Sequence, residues 1–287
     1  LHLIRDRLGT KPLYYTKKKN YLFFASEIKA LPKIKNIDYN IVDNYLTLGS
    51  YPVVKSFFKN IENVPSSSII SFKRDNIKNY KYFDLKKEVR NCQSENFNEE
   101  KFEHLLKKAI LIRQRSDKKI NFHLSGGIDS TALLIYTKDN WSSKYDLNSS
   151  SFSYDGYKED EYKFIYRISK KIDVINNKIT LYPDEVPDLA ERLQYFQDEP
   201  YGGLASVAEY KLNLEEREKG EIVSFEGMGG DEILGGYNSH SLLALNEMIN
   251  NNQSTEIINK LNSYLGIGNN KERISKTKKL ISSGFYA

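Results

Sequence analysis

Apolar and aromatic positions follow two regimes along the chain. Up to about residue 85 they come as strand-length runs. Pro12–Tyr15 and Tyr21–Ser26 flank a polar tip at Lys17–Asn20, and Ser67–Phe72 and Ile77–Phe83 flank Lys73–Asn76. Such runs on either side of a polar tip predict two β-hairpins. The polar stretch from Lys86 to Asn98 is the expected boundary. Beyond it, Phe102, Leu105, Leu106, Ala109 and Ile110 recur at helical spacing behind Asn98, an expected N-cap. Ile120–Leu124, Ser151–Tyr154 and Ile222–Phe225 read as strands, the first followed by a helix starting near Thr131. Ile165, Ile168 and Ile172 mark one amphipathic helix, and Leu189, Leu193 and Phe196 another. Ser206 and Glu209 form a capping-box pattern opening a helix that ends near Gly220. From about Asn246 the chain is rich in Asn, Lys and Ser, with weak helical signals and no repeat. Alternating strands and helices predict an α/β fold with a parallel, doubly wound sheet, whose ligands bind beyond the carboxyl ends of its strands.

With 39% hydrophobic and 13% aromatic residues, the 287-residue chain has enough apolar mass for a core. Its 43 basic residues are nearly matched by 38 acidic ones, for a net charge of +5, and they form no dense basic face. That balance speaks against a nucleic-acid partner. The single cysteine, Cys92, forbids an intramolecular disulfide and a cysteine-cluster metal site. The four histidines, His2, His104, His123 and His240, are scattered and suggest no metal site. No run has the length of a membrane span, and there is no signal peptide, so a cytoplasmic enzyme is the default expectation.

Two loops carry the chemistry. HLSGGIDST, His123 to Thr131, lies between a strand and a helix. Gly126 and Gly127 let backbone amides crowd around an anion, Ser125 and Ser130 add hydroxyl donors, and the helix N-terminus adds positive potential. Asp129 is placed to hold a magnesium ion bridging the phosphates. A tight turn in which Asp129 and Ser130 merely cap the helix is the plainer reading of an isolated Ser-Gly-Gly. The whole string in its strand–turn–helix context resembles the PP-loop of the ATP pyrophosphatases, which cleave ATP to AMP and pyrophosphate. The second string, EGMGGDEILGGY from Glu226 to Tyr237, follows the last strand. Its glycines imply a backbone held close to a ligand, and Asp231 is placed to share the metal with Asp129.

Together the two strings resemble the synthetase domain of glutamine-hydrolysing asparagine synthetases. Asp198-Glu199-Pro200 and Asp160-Glu161 resemble two further acidic segments of that family. Arg5–Tyr15 (RDRLGTKPLYY) and Phe24–Leu31 (FASEIKAL) resemble the last part of its class II glutaminase, an N-terminal-nucleophile sandwich. The implied organisation is a β-rich glutaminase remnant over residues 1–90, then a PP-loop synthetase domain over 97–287, with both ends looking cut. The glutaminase nucleophile has no counterpart here. By resemblance, Leu124, Tyr154 and the Glu226–Gly227 turn line the adenosine pocket, and Ser125, Gly126, Gly127, Asp129 and Ser130 bind the ATP phosphates. The substrates implied are aspartate, ATP and glutamine or ammonia, with magnesium; a homodimer stays open.

The implied reaction activates the aspartate side chain as an acyl-adenylate, which ammonia, supplied from glutamine in the intact protein, converts to the amide. One departure stands out. The family usually places Glu or Gln at the second position of the GxGGDE loop, where this chain has Met228. A thioether cannot accept a proton from an attacking amine. Glu226, two residues earlier and on the same face of an extended segment, is the expected substitute. Three alternatives remain open: the same architecture acting on another carboxylate (a sugar acid, a peptide or a natural-product precursor), another PP-loop enzyme such as one that modifies tRNA, and a non-catalytic nucleotide-binding chain.

Overall fold

The computed structural model describes residues 1–32, 36–49, 54–73, 76–92, 98–141, 146–158, 160–237, 240 and 243. The expected weakly helical tail from about Asn246 lies outside them. In chain order the elements are β1 (His2–Ile4), β2 (Tyr14–Lys18), β3 (Tyr21–Ala25), α1 (Tyr39–Leu48), β4 (Glu62–Asn63), β5 (Ser68–Lys73), β6 (Asn76–Lys81), α2 (Leu85–Cys92), α3 (Glu99–Arg113), β7 (Ile120–His123), α4 (Ile128–Asp139), β8 (Asn148–Ser153), α5 (Tyr162–Ile172), β9 (Ile175–Thr180), α6 (Val186–Gln197), α7 (Leu204–Glu218), β10 (Val223–Phe225) and α8 (Gly230–Leu234). Contacts divide the chain into two units, Leu1–His104 with Pro183–Tyr210, and Leu105–Tyr182 with Lys211–Ala287. No helix among the described residues is long and apolar enough to cross a membrane.

The first unit holds two antiparallel three-stranded sheets, ordered β1-β5-β6 and β3-β2-β4. Both expected hairpins form. β2 pairs with β3 from Tyr14↔Ala25 to Lys18↔Tyr21, and β5 with β6 from Ser68↔Lys81 to Lys73↔Asn76. One small core gathers Leu3, Val64 and Ile70, and another Ile28, Leu31 and Ile61. The basic string near the start folds around its own charges. The Arg5 guanidinium donates to the carbonyls of Gly9 and Val64 and to Asn63 Oδ1, each at 2.8 Å, and to the Lys11 carbonyl at 3.0 Å. Asp6 accepts from the backbone N–H groups of Leu8, Thr10 and Lys11. Helix α1, capped by Asp38 on the Asn40 N–H, is not legible in the apolar pattern because only Ile41 is buried in it. The polar stretch expected as the boundary carries an element of its own. Its first half is helix α2, which buries no residue and is held by charged helix formers rather than by an apolar stripe. Asn98 caps α3 as expected, accepting from the Lys101 N–H at 2.8 Å.

The second unit is built on a four-stranded parallel sheet ordered β10-β7-β8-β9. Ile120, Phe122, Leu124, Leu134, Ile165, Val174 and Phe225 form its core, with the Phe122 and Phe225 rings stacked at 5.0 Å. The chain leaves β7 toward β8 on one side and returns at β10 on the other. This reversal is a topological switch point, the place beyond the strand ends where open α/β sheets bind ligands. Two expected boundaries move. Helix α4 begins at Ile128, not near Thr131, because Gly127 takes the extended N-cap conformation (φ −67°, ψ 162°). Helix α7 begins at Leu204, so Ser206 stands in its first turn instead of capping it, and no capping box forms.

Candidate active site

The two glycine loops leave neighbouring strands of the second unit. β7 pairs with β10 through Ile120↔Val223, Asn121↔Ser224 and Phe122↔Phe225. The PP-loop-like turn after β7 is closed by its serines. Ser125 Oγ lies 3.0 Å from Ser130 Oγ, Ser130 Oγ donates to the Gly127 carbonyl at 3.2 Å, and the Gly127 N–H reaches Ser125 Oγ at 3.3 Å. Gly126 sits at φ +84°, a left-handed backbone that other residues rarely adopt, and a Cβ there would stand 3.0 Å from Ile165. No side chain caps α4. The first-turn amides therefore point out of the loop toward any bound anion.

The second loop packs directly on the first. A Cβ on Gly227 would lie 2.8 Å from the Ser130 backbone nitrogen, and one on Gly230 would overlap the Asp129 carboxylate. Glycine is required here by backbone approach. The approach brings Asp129 to the start of α8, whose first turn carries Asp231 and Glu232. Tyr237 closes this corner with its hydroxyl on Glu232 at 3.2 Å, and that bond together with nearby carboxylates raises its pKa. The structure thus brings Asp129 and Ser130 of the first loop against Gly227 and Gly230 of the second, beside the turn that carries Asp231. Helix amides with no side-chain cap beside the carboxylates of Asp129, Asp231 and Glu232 are the kinds of donor that an anion and a divalent cation require.

The remaining expected site residues have different surroundings. Leu124 is only 1% exposed, so its side chain belongs to the core rather than to an open pocket wall; its carbonyl accepts from Ser151 Oγ. Tyr154 is half-buried at the end of β8, its ring 5.5 Å from Phe152, and burial raises its pKa. Asp160 fixes that corner, accepting from Ser153 Oγ and from the N–H groups of Tyr154 and Tyr162. Glu226 is exposed, and one of its carboxylate oxygens lies within 4.8 Å of a ring nitrogen of His123. Met228 is 79% exposed.

Two features escape a reading of the sequence. One is an apolar groove of about 720 Å³ between α4 and α5, lined by Ile128, Ile135, Phe164 and Ile168, with Gly126 at its rim. The other is a buried polar cluster on α7. Glu216, its side chain 1% exposed, accepts from Asn121 Nδ2 and, at 3.2 Å, from Ser224 Oγ, and meets His123 Nε2 at 3.0 Å. Burial pushes the Glu216 carboxyl up, but His123 and the surrounding donors outweigh it and hold its pKa below the ordinary value. The Asp198-Glu199 pair lies in the first unit. There Asp198 accepts from the N–H groups of Ile28 and Lys29, and Glu199 Oε1 accepts from the Phe57 N–H at 2.7 Å.

A parallel sheet with a glycine-serine loop and a second glycine loop at its switch point defines an α/β protein of the PP-loop type. The asparagine synthase family model matches residues 101–282, and a glutamine amidotransferase domain model matches residues 1–83. The chain belongs to the asparagine synthase family. A Methanocaldococcus jannaschii protein carrying a glutamine-hydrolysing asparagine synthetase name is 29% identical over 280 residues, covering 95% of this chain and 52% of that protein. Asparagine synthetase 2 of Bacillus subtilis is 29% identical over 262 residues, covering 83% and 34%. Amidase chry2 of Gibberella zeae is 25% identical over 260 residues, covering 85% and 39%. The chain spans about half the length of the first of these relatives and about a third of the second.

Proposed function

We propose that the second unit carries an adenylating site that activates the side-chain carboxylate of aspartate with ATP, for displacement by ammonia. The observation that carries this reading is the contact of Gly227 and Gly230 with Ser130 and Asp129, which joins both loops. On this reading residues 1–90 are part of a class II glutaminase domain that delivers ammonia from glutamine in the intact protein. Residues 97–287 are the synthetase domain.

The loop amides, Ser125 and Ser130 hold the β- and γ-phosphates, while Tyr154 and the Glu226–Gly227 turn flank the nucleoside. Asp129 and Asp231 would hold magnesium, which neutralises charge on the departing pyrophosphate. An aspartate oxygen attacks the α-phosphorus, the bond to the β-phosphate oxygen breaks, and pyrophosphate leaves. Positioning and charge neutralisation dominate such a step, in keeping with a site made of amides, hydroxyls and carboxylates. Ammonia then attacks the acyl carbon, AMP departs with the electron pair of the broken C–O bond, and Glu226 accepts a proton from the nitrogen.

The test is pyrophosphate exchange into ATP dependent on aspartate, followed by amide formation with free ammonium. Glu226→Gln is expected to lower amide formation by about a hundredfold or more; an unchanged amidation rate removes Glu226 from the mechanism. A different carboxylate is the second reading, favoured by Met228 and by the relative named an amidase. Exchange that responds to other acids but not to aspartate would select it.

A further inference from the structure

The buried Glu216 cluster joins α7 to β7 and β10, the two strands that lead into the glycine loops, and takes no part in the steps above. Its partners alternate along two neighbouring strands. Asn121 and His123 share one face of β7, and Ser224 shares the corresponding face of β10, where it is the register partner of Asn121. One step of two residues further places Glu226 opposite His123, in accord with the approach of their polar atoms to within 4.8 Å. The side chains thus run in order from a buried carboxylate, Glu216, through an imidazole 13% exposed, His123, to an exposed carboxylate, Glu226.

A buried carboxylate is costly unless its oxygens are fully engaged. Glu216 meets that demand with Asn121, Ser224 and His123, so the cluster is held on several sides. An imidazole bonded at Nε2 to a fixed carboxylate has its ring plane and its protonated nitrogen set by that bond. A core needing only to be filled would be served by apolar residues at 121, 123 and 216. Here a polar column leads from the helix to the root of the second loop.

We propose that His123, held by Glu216, is a positioning residue that orients Glu226 for taking the proton from the nitrogen during amide formation. This rests on the reading of the site as amide-forming. In the balanced step the nitrogen lone pair forms the C–N bond. The acyl C–O bond breaks with its electrons leaving on AMP, and one N–H proton passes to Glu226. Throughout, His123 in its imidazolium form donates from Nε2 to Glu216 and from its other ring nitrogen toward the Glu226 carboxylate. A neutral ring bonded to Glu216 would offer the second carboxylate only a lone pair. The adenylation half-reaction, which needs no proton acceptor, does not depend on the bond between His123 and Glu216.

The experiment compares the wild-type protein with His123→Gln, Glu216→Gln, Glu226→Gln and the double variant His123→Gln/Glu226→Gln. Each is assayed with ATP, magnesium, aspartate and ammonium for pyrophosphate exchange and for amide formation. His123→Gln and the isosteric Glu216→Gln are expected to keep exchange within about twofold. Their amidation kcat should fall about ten- to hundredfold, with the KM for ATP unchanged. The double variant should be no slower than Glu226→Gln alone, because the two residues act as one unit. Unchanged amidation in both His123→Gln and Glu216→Gln overturns the proposal, as does an equal fall of both half-reactions, which marks a structural role. Multiplicative losses in the double variant, or failure of both single variants to fold, also overturn it. Absence of wild-type exchange with aspartate and with other acids overturns the amide-forming reading itself, and so is told apart from failure of the His123 assignment alone.

Discussion

Asp198 Oδ2 accepts a 2.8 Å hydrogen bond from the backbone N–H of Ile28, 170 residues earlier in the chain. The same carboxylate takes the Lys29 N–H and pairs with Lys29 Nζ at 3.2 Å, and its side chain is only 11% exposed. Asp198 ends α6 in the left-handed conformation, at φ 62°. Asp198→Ala is therefore expected to cost about 1–3 kcal/mol, since it leaves a buried N–H unsatisfied. Asp198→Asn should cost less, because asparagine tolerates the same backbone and keeps one acceptor. Urea unfolding of the two variants checks the order; equal stabilities would contradict it.

Asp6 links acidity to the folded state. Hydrogen bonds from the Thr10, Lys11 and Leu8 backbone lower its pKa from 3.8 to about 2. A depressed carboxylate contributes stability that is fully present above its unfolded value and lost as pH falls through the folded one. The Asp6 contribution should therefore fade between about pH 4 and pH 2. Asp6→Asn should remove that part of the pH dependence and be less stable at neutral pH. Chemical denaturation across this range, with the Asp6 carboxyl followed by NMR, tests the sign.

The contact between the two loops predicts a steric phenotype. Gly227→Ala would drive a methyl against the Ser130 backbone nitrogen, which has no flexible end to move. The strain is of order 1–3 kcal/mol and falls on the cradle itself. Calorimetric titration with magnesium-ATP should show weakened binding, while Gly202→Ala, whose Cβ would meet only the Ser206 hydroxyl at 3.4 Å, leaves that binding unchanged. Equal affinities for the wild type and Gly227→Ala would show that the cradle is not where the nucleotide sits.

Much of this architecture was legible in the chain. Both hairpins, the strand before each glycine loop and the Asn98 cap could be read because apolar runs and turn residues agree there. The apolar pattern shows strand β8 only from Ser151 and does not show β9. Their interiors carry Ser149, Ser150 and Ser151, and Asn176, Asn177 and Lys178, polar residues that local pattern assigns to loops. The fold accepts the serines because each finds a partner. Ser149 Oγ donates to the Ile175 carbonyl, Ser151 Oγ to the Leu124 carbonyl, and Asn121 Nδ2 to Ser150 Oγ. For the same reason Glu216 was invisible as a buried residue: helical spacing cannot reveal donors that arrive from β7 and β10. The loop residues Ser125–Ser130 and Gly227–Asp231 were legible because their local conformation is dictated by glycine and serine at fixed spacing. The contact that joins the two loops was not, since it depends on strand order.

The carboxylates flanking the cradle predict a metal dependence. Asp129→Asn and Asp231→Asn should each raise the Kd for magnesium-ATP at least about tenfold, or about 1.4 kcal/mol. With magnesium chelated, the wild type should bind ATP no better than the variants do. Titrations with and without the cation decide this, and a variant that keeps full cation-dependent affinity loses its place as a ligand.

Attack of the substrate carboxylate on the α-phosphorus of ATP at the two loops leaves a carboxylate oxygen on AMP. Aspartate carrying an isotopic oxygen label in its side-chain carboxylate, incubated with the protein, ATP, magnesium and ammonium, therefore reports the step. Mass spectrometry should find one labelled oxygen transferred to AMP, with pyrophosphate unlabelled. Formation of ADP with the label in inorganic phosphate, or of unlabelled AMP alongside the amide, would contradict it.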